Sequence, residues 1–349
     1  MRELIEGPFV WTGPQLSEAT DWQFELGPRH RAEIDAALAR VKSRDIAWQE
    51  MRREDFPLGE TAGLLGRLSA MLEDGRGLAK LSGLPVGAYT EEDLRRIWYG
   101  IGLHLGTPVS QSHDGLLMKV IQDEGASVGQ VYGEMRNEDG TSFLSSYARA
   151  LSNGPLRFHT DRTDVVGLLC IGQAREGGFS KVASTVAIHN EILRRRPDLL
   201  ELLYRPYPRT KLGEEKGGEG EVYMLPVFGL RDGRFTSHYS RTYIEASQKL
   251  PAAPRLSAEQ DEALDLIAEV AEAICYRMRL APGDMQFLNN HVIYHARDAF
   301  TDDRQVGQAR RLLRLWLAAP NSRALPEDHA VLWGNVAAGA LRGGIAISG

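Results

Sequence analysis

Apolar residues recur every three to four positions through the first third of the chain and gather into short unbroken runs after it. Ile34, Leu38 and Val41 stand at i, i+4 and i+7, which predicts a helix over 29–43. Leu64, Leu65, Leu68 and Leu72 predict a second over 61–74, and a third is predicted over 91–105, ending near Gly106. Between them, 77–86 reads as a short strand closed by a turn. From about 107 the texture changes: apolar runs at 116–121, 165–171, 222–228, 285–288 and 311–318 alternate with Gly-, Asn- and Ser-rich turns, as in a β-sandwich or barrel. Two helices are predicted among these strands, over 186–204 and 258–279. Ser257 and Gln260 form a capping-box pattern at the start of the second, and Leu264, Ile267, Ala268, Ala271, Ile274 and Cys275 make its apolar stripe. Segments 122–156 and 205–221, rich in Gly, Ser and charge, are expected to be long loops, and loops of that length often serve as lids or binding loops. No repeat, low-complexity tract or linker interrupts the chain. Residues 1–106 are therefore expected to buttress a core over 107–349 within a single domain.

Composition narrows the function classes. Hydrophobic residues make up 43% and charged residues 25%, an ordinary globular balance with a sizeable core. A net charge of −6 gives no electrostatic reason to expect nucleic acid or an anionic membrane as partner. No apolar run approaches the roughly 18 residues of a bilayer span. The opening MRELIEGPFVW has charges where a signal peptide needs its apolar core, so a cytoplasmic protein is expected. Cys170 and Cys275 lie in apolar runs and are expected to be buried reduced thiols. The partner expected is a small-molecule substrate, with self-association into a homo-oligomer left open.

The chemistry is concentrated around Phe158-His159-Thr160-Asp161. With 9 histidines and 47 acidic residues in 349, chance alone supplies about one His-x-acid match, and there are two. Geometry separates them. In a strand, residues i and i+2 share a face, whereas in a helix they diverge by about 200°. His189 and Glu191 lie in what reads as a helix opening, so that pair is expected to serve packing or surface. His159 and Asp161 precede an apolar strand, with Arg157 expected on their face. Two such ligands require a third. Two histidines and a carboxylate on one side of an octahedron leave room for a bidentate 2-oxo acid and O2, the facial triad of non-haem iron(II) oxygenases. His291 and His295, after the turn-forming Asn289-Asn290, are both candidates, and spacing does not choose between them.

Further segments follow in order: GGFSKVAS at 177–184, GDMQFLNN at 283–290, HARDAF at 295–300 and RRLLRLWL at 310–317. Together with FHTD at 158–161, this arrangement resembles the taurine dioxygenase family of iron(II)/2-oxoglutarate oxygenases across roughly 155–320. The resemblance selects His295, which stands in the His-x-Arg pattern with Arg297. It thus implies Fe(II) on His159, Asp161 and His295. It also implies a double-stranded β-helix, or jelly-roll, that is mainly β with a helical N-terminal cap and outer helices. Arg310 is implied for the distal carboxylate of 2-oxoglutarate, Arg314 as a second arginine on substrate or co-substrate, and Ser180 as a hydrogen-bonding partner of the same carboxylate. The adjacent Arg311 leaves that register open by one residue. Arginine suits the role because its planar fork pairs bidentately with carboxylates.

The implied reaction consumes 2-oxoglutarate and O2, releases succinate and CO2, and hydroxylates a C–H bond of a small, anionic substrate. An intact Asp161 sets the chain apart from related halogenases, which lack the carboxylate. Dealkylation and desaturation are alternatives within the same chemistry. A metal-dependent jelly-roll hydrolase or isomerase, or a non-catalytic sensor of small acids, are the alternatives outside it. Gln111, His113, Arg162 and Asn289 are the substrate-site candidates, with Tyr132 and Tyr147 beside them.

Overall fold

The strand Arg311–Ala318 shows why the long strands are apolar on both faces. In the computed structural model, which describes residues 3–125, 135–137, 139–210 and 222–347, this strand lies inside the larger of two main sheets. Leu312, Trp316 and Ala318 face inward onto Val166, Leu168 and Cys170, while Leu313, Leu315 and Leu317 face outward onto Ile97, Trp98 and Ile101. Both faces are covered, so the strand is apolar on both sides except for Arg314, which faces inward to the cavity. The larger sheet runs Gln23–Glu25, Leu78–Ser82, Met285–Asn289, Val165–Gly172, Arg311–Ala318 and Thr107–Pro108, with Met118–Ile121 also paired to Arg311–Ala318. The smaller runs Tyr276–Met278, Ser180–Ser184, Ile293–Arg297 and Leu156–His159. The two inner faces enclose the core of a double-stranded β-helix. Helices Pro28–Ser43, Glu60–Glu73 and Glu91–Leu105 cover the outside of the larger sheet. Their close approach needs Gly167, where a Cβ would come within 2.9 Å of the Trp98 ring. Leu78–Ser82 pairs directly with Met285–Asn289, so the N-terminal third supplies strands as well as helices.

Several expectations are corrected. The helix predicted over 258–279 ends at Ile274, and Tyr276–Met278 instead pairs antiparallel with Ser180–Val182. Cys275 is extended (φ −64°, ψ 153°), and Tyr276 packs edge-on against Trp22. Strand pairing, invisible to helical periodicity, decides the boundary. The helix over 186–204 is two, Thr185–Arg195 and Pro197–Leu203. Pro197 forces Arg196 out of the helical region, to φ −147° and ψ 72°. Within 205–221, Pro206–Thr210 is a strand paired with Val222–Pro226. Of the segment 122–156, the described parts form a hairpin, Met135–Arg136 with Ser142–Phe143, and the helix Ser146–Ala150. Tyr132 lies outside the described residues. Both cysteines are free thiols; Cys170 is buried, but Cys275 is only partly so, because it sits at the helix end. Among the described residues no helix is long and apolar enough to cross a membrane.

Candidate metal centre

His159 and His295 are direct cross-strand partners in the smaller sheet, with ring centroids 4.2 Å apart. Asp161 follows two residues after His159, beyond the end of the strand. One ligand-type atom from each of the three lies within 4.8 Å of the others. The separations from Asp161, 3.7 Å to His159 Nε2 and 3.9 Å to His295 Nε2, are too long for hydrogen bonds. Three polar groups, His159 and Asp161 buried and His295 largely so, therefore converge without bonding to one another, as ligands of a shared ion do. Arg157, expected on the same face, is not there. From Arg297 to His295 one strand advances two residues, while its partner advances three from Leu156 to His159. This bulge breaks the two-residue alternation. It turns the Arg157 side chain outward to Glu245 at 2.9 Å, leaving its carbonyl facing His159 Nδ1 at 2.8 Å.

That carbonyl can only accept, so His159 carries its proton on Nδ1 and presents a lone pair at Nε2. Burial pushes the pKa of His159 down, and burial together with the neighbouring His159 pushes His295 to about 3, so both rings are neutral near pH 7. Burial works to raise the Asp161 carboxyl, but Arg314, the two histidines and the Trp316 indole together hold it below its ordinary value. Trp316 Nε1 donates to Asp161 Oδ2 at 2.8 Å, and the Asp161 backbone N–H donates to Asn290 Oδ1 at 3.1 Å. Two neutral imidazoles and a carboxylate suit a divalent first-row cation such as iron(II).

His291, the alternative third ligand, belongs elsewhere. It sits in the turn before Ile293–Arg297, with Nε2 2.7 Å from Asp164 Oδ1 and Nδ1 3.1 Å from Thr236 Oγ1. Arg342 Nε donates to the same Asp164 oxygen at 2.8 Å, and the Ala319 N–H donates to the other at 3.1 Å. Arg342 already balances Asp164, so a protonated His291 would be surplus charge. Burial, only partly countered by Asp164, lowers the His291 pKa to about 4. Asp164→Ala would strand Arg342 and His291 and is expected to destabilise the fold by about 3–5 kcal/mol, read as a shift in denaturant midpoint. The histidine also sets a pH dependence. As pH falls from 6.5 towards about 4, the unfolded chain takes up the proton and the folded chain does not. The metal-free protein is thus expected to be less stable at about pH 5 than at about pH 7, and equal urea midpoints at the two values would count against a neutral buried His291. His189, the other motif histidine, is buried in ring contacts with Tyr204, Phe228 and Phe235, a packing role.

Arg310 is buried, and its Nη1 has no hydrogen-bond partner. Among the described residues no carboxylate lies within ion-pair distance of it. Burial lowers its pKa to about 10, which leaves it charged at neutral pH. The Gly177-Gly178 pair beside it has a steric reason. Both are left-handed (φ +72° and +69°), and a Cβ on Gly178 would come within 3.0 Å of Arg310 Cδ. Ser180 is buried opposite Arg297 in the smaller sheet. Arg311 points the other way, to Glu91 at 2.8 Å on the outer helix. Arg297 is structural: it donates to the carbonyls of Arg149, Ala150, Ser152 and Gly154 and so ties down the segment before His159.

The cavity at the triad is lined by His159, Thr160, Asp161, Arg162, Arg314 and Trp316, with Ser146, Tyr147, Thr210, Tyr223, His238, Tyr243, Leu332 and Ile345. Arg314 is held by Gln111, whose Oε1 accepts from Nε at 2.7 Å, and its Nη1 lies 3.4 Å from Asp161 Oδ2. Of the substrate-site candidates, Arg162 and Tyr147 line this cavity. Gln111 does not, since its amide also donates to the carbonyls of Leu117 and Arg314, making it a support for Arg314. His113 sits outside, against the Ala346 carbonyl. Asn289 is also placed elsewhere: it bonds to Leu72 O, Glu73 Oε2 and the His291 N–H, stapling the helix Glu60–Glu73 to the turn. Residues not anticipated include Lys119, buried opposite Arg314 on Met118–Ile121 and bonded to the Tyr147 hydroxyl. Burial, then Arg314, lowers its pKa to about 8. Its strand was legible, but a lysine in an apolar run is commonly read as an edge position. His238 was also missed, having no local motif at all.

A family model described as "Taurine catabolism dioxygenase TauD, TfdA family" matches residues 44–316. The chain belongs to this family. The TauD/TfdA-family chain is 32% identical over 348 residues to FR-33289 synthase of Streptomyces rubellomurinus, covering 97% of each. It is 30% identical to the taurine hydroxylase-like protein SAT17 of Stachybotrys chartarum, over 89% of this chain and 79% of that one. In fold it matches an asparagine oxygenase solved with Fe(II), 3-hydroxyasparagine and succinate, with a TM-score of 0.63 and 17% identity over 92% of this chain and 100% of that one. The non-heme iron oxygenase OrfP, solved with Fe and alpha-ketoglutaric acid, gives 0.58 and 14% identity over 84% and 93%. As a TauD/TfdA-family member the chain is an Fe(II)- and 2-oxoglutarate-dependent oxygenase that uses O2.

Proposed function

We propose that His159, Asp161 and His295 hold the iron, that Arg310 with Ser180 receives the distal carboxylate of 2-oxoglutarate, and that the enzyme hydroxylates a small anionic substrate in the cavity beside Arg314. The convergence of two neutral imidazoles and one carboxylate without mutual hydrogen bonds supports the iron assignment. Iron with 2-oxoglutarate and O2 supplies the oxidising power for a C–H bond. The chain's part is to orient: Trp316 and the Asn290 side chain fix Asp161, the Arg157 carbonyl fixes the His159 tautomer, and Gln111 aims Arg314. Among the described residues, the charged groups lining the cavity are Arg162, Arg314 and Asp161. With Asp161 committed to the metal, the remaining charge is positive and favours an anion. Residues 1–106 act in this reading as an integral buttress of one catalytic domain.

The test needs no substrate. Iron(II) and then 2-oxoglutarate are added anaerobically to the metal-free protein and the visible spectrum is recorded. A weak charge-transfer band is expected. Iron binding without any band would move a hydrolase or isomerase role to the front.

A further inference from the structure

Arg209, on the strand Pro206–Thr210, is fully buried, and among the described residues no carboxylate lies within ion-pair distance of it. Its hydrogen bonds go to neutral acceptors: Nη1 to His238 Nδ1 at 2.7 Å, and Nη2 to the carbonyls of His238 at 2.8 Å and Pro226 at 3.1 Å. A buried guanidinium without a counter-charge is costly, so its position calls for an explanation. One consequence is local. Arginine only donates, so His238 Nδ1 must accept, and the single ring proton of His238 resides on Nε2. His238 is thereby locked as a hydrogen-bond donor at that edge.

The backbone places this donor at the metal centre. His159 pairs with Ser240, and the Thr160 N–H donates to the Tyr239 carbonyl at 2.8 Å. His238 lies two residues before Ser240 on that segment, and its backbone N–H donates to the Val227 carbonyl at 2.9 Å. His238 lines the cavity with His159 and Asp161, is itself 5% exposed, and makes no hydrogen bond through Nε2 among the described residues.

We propose that His238, locked by Arg209, donates from Nε2 to the acid group of the substrate, which is a small molecule carrying a carboxylate, phosphonate or sulfonate. Arg209 lends its charge from behind the imidazole, and the bound anion is the counter-charge that Arg209 lacks among the described residues. The proposal rests on the reading of this cavity as the substrate site of the oxygenase.

The full chain, loaded anaerobically with Fe(II) and 2-oxoglutarate, is titrated with methylphosphonate, methanesulfonate and acetate while the visible band is followed. At least one acid is expected to perturb the band saturably, and tetramethylammonium is not. His238→Met, similar in volume and without a donor, is expected to weaken that binding about tenfold or more. His238→Gln keeps an N–H near the Nε2 position and is expected to stay within about threefold of wild type. Arg209→Met is expected to weaken binding as His238→Met does, while the band before acid is added stays unchanged in all three variants. Equal affinity in wild type and His238→Met, or no perturbation by any acid although the band forms, overturns the proposal and leaves the oxygenase reading intact. Absence of the band despite bound iron removes that reading, and the proposal with it.

Discussion

His295→Ala is expected to abolish the charge-transfer band and succinate formation, whereas His291→Ala is expected to keep the band and lose stability. The two histidines are four residues apart, yet they sit in unrelated networks. His295 faces His159 across the smaller sheet and has Asp161 at 3.9 Å. His291 is saturated by Asp164 and Thr236. Residues that merely support metal ligands are worth about 10–100-fold in affinity or activity, so loss of a ligand is expected at or beyond the upper end of that range. His159→Ala should behave as His295→Ala does. Metal content, the anaerobic spectrum and 2-oxoglutarate-dependent succinate release measure all three variants. If His295→Ala bound iron and formed the band as wild type does, the assignment of the third ligand would be wrong.

Arg310→Leu is expected to separate co-substrate binding from stability. Truncating one partner of a buried, hydrogen-bonded charge pair costs about 2–5 kcal/mol, which at about 1.4 kcal/mol per tenfold is roughly 30-fold or more in affinity for 2-oxoglutarate. No carboxylate among the described residues pairs with Arg310, and its Nη1 is unbonded. Replacing it by an apolar side chain removes a buried charge that no carboxylate among the described residues balances. The unfolding midpoint without co-substrate should therefore hold or rise. Arg311→Leu serves as the control, since Arg311 reaches Glu91 and Gln122 on the outer side. Anaerobic titration of the visible band with 2-oxoglutarate reads the first effect, and thermal unfolding reads the second. Unchanged co-substrate affinity in Arg310→Leu would place the distal carboxylate elsewhere.

Much of this was legible in the chain itself. The apolar spacing of Ile34, Leu38 and Val41, and the apolar runs at 165–171 and 312–318, the latter broken only by Arg314, mark elements whose burial follows from their own period or continuity. The order of FHTD, the Gly-Gly-x-Ser segment, His-x-Arg and the arginine strand carried the family, because several short segments in one fixed order and spacing are far more specific than any one alone. Local patterns are silent on contacts between distant segments, and there the tertiary structure decided. It ended the helix at Ile274 because Tyr276–Met278 finds a strand partner nearly a hundred residues earlier. It turned Arg157 outward through a bulge, which a simple alternation cannot anticipate. It spent the amides of Gln111 and Asn289 on backbone and side-chain partners elsewhere in the fold. It also brought His238 to the cavity, with Arg209 behind it, from a region with no motif. A side chain's period along its own element says which face it occupies. What it touches there depends on which other segments the fold brings to that face.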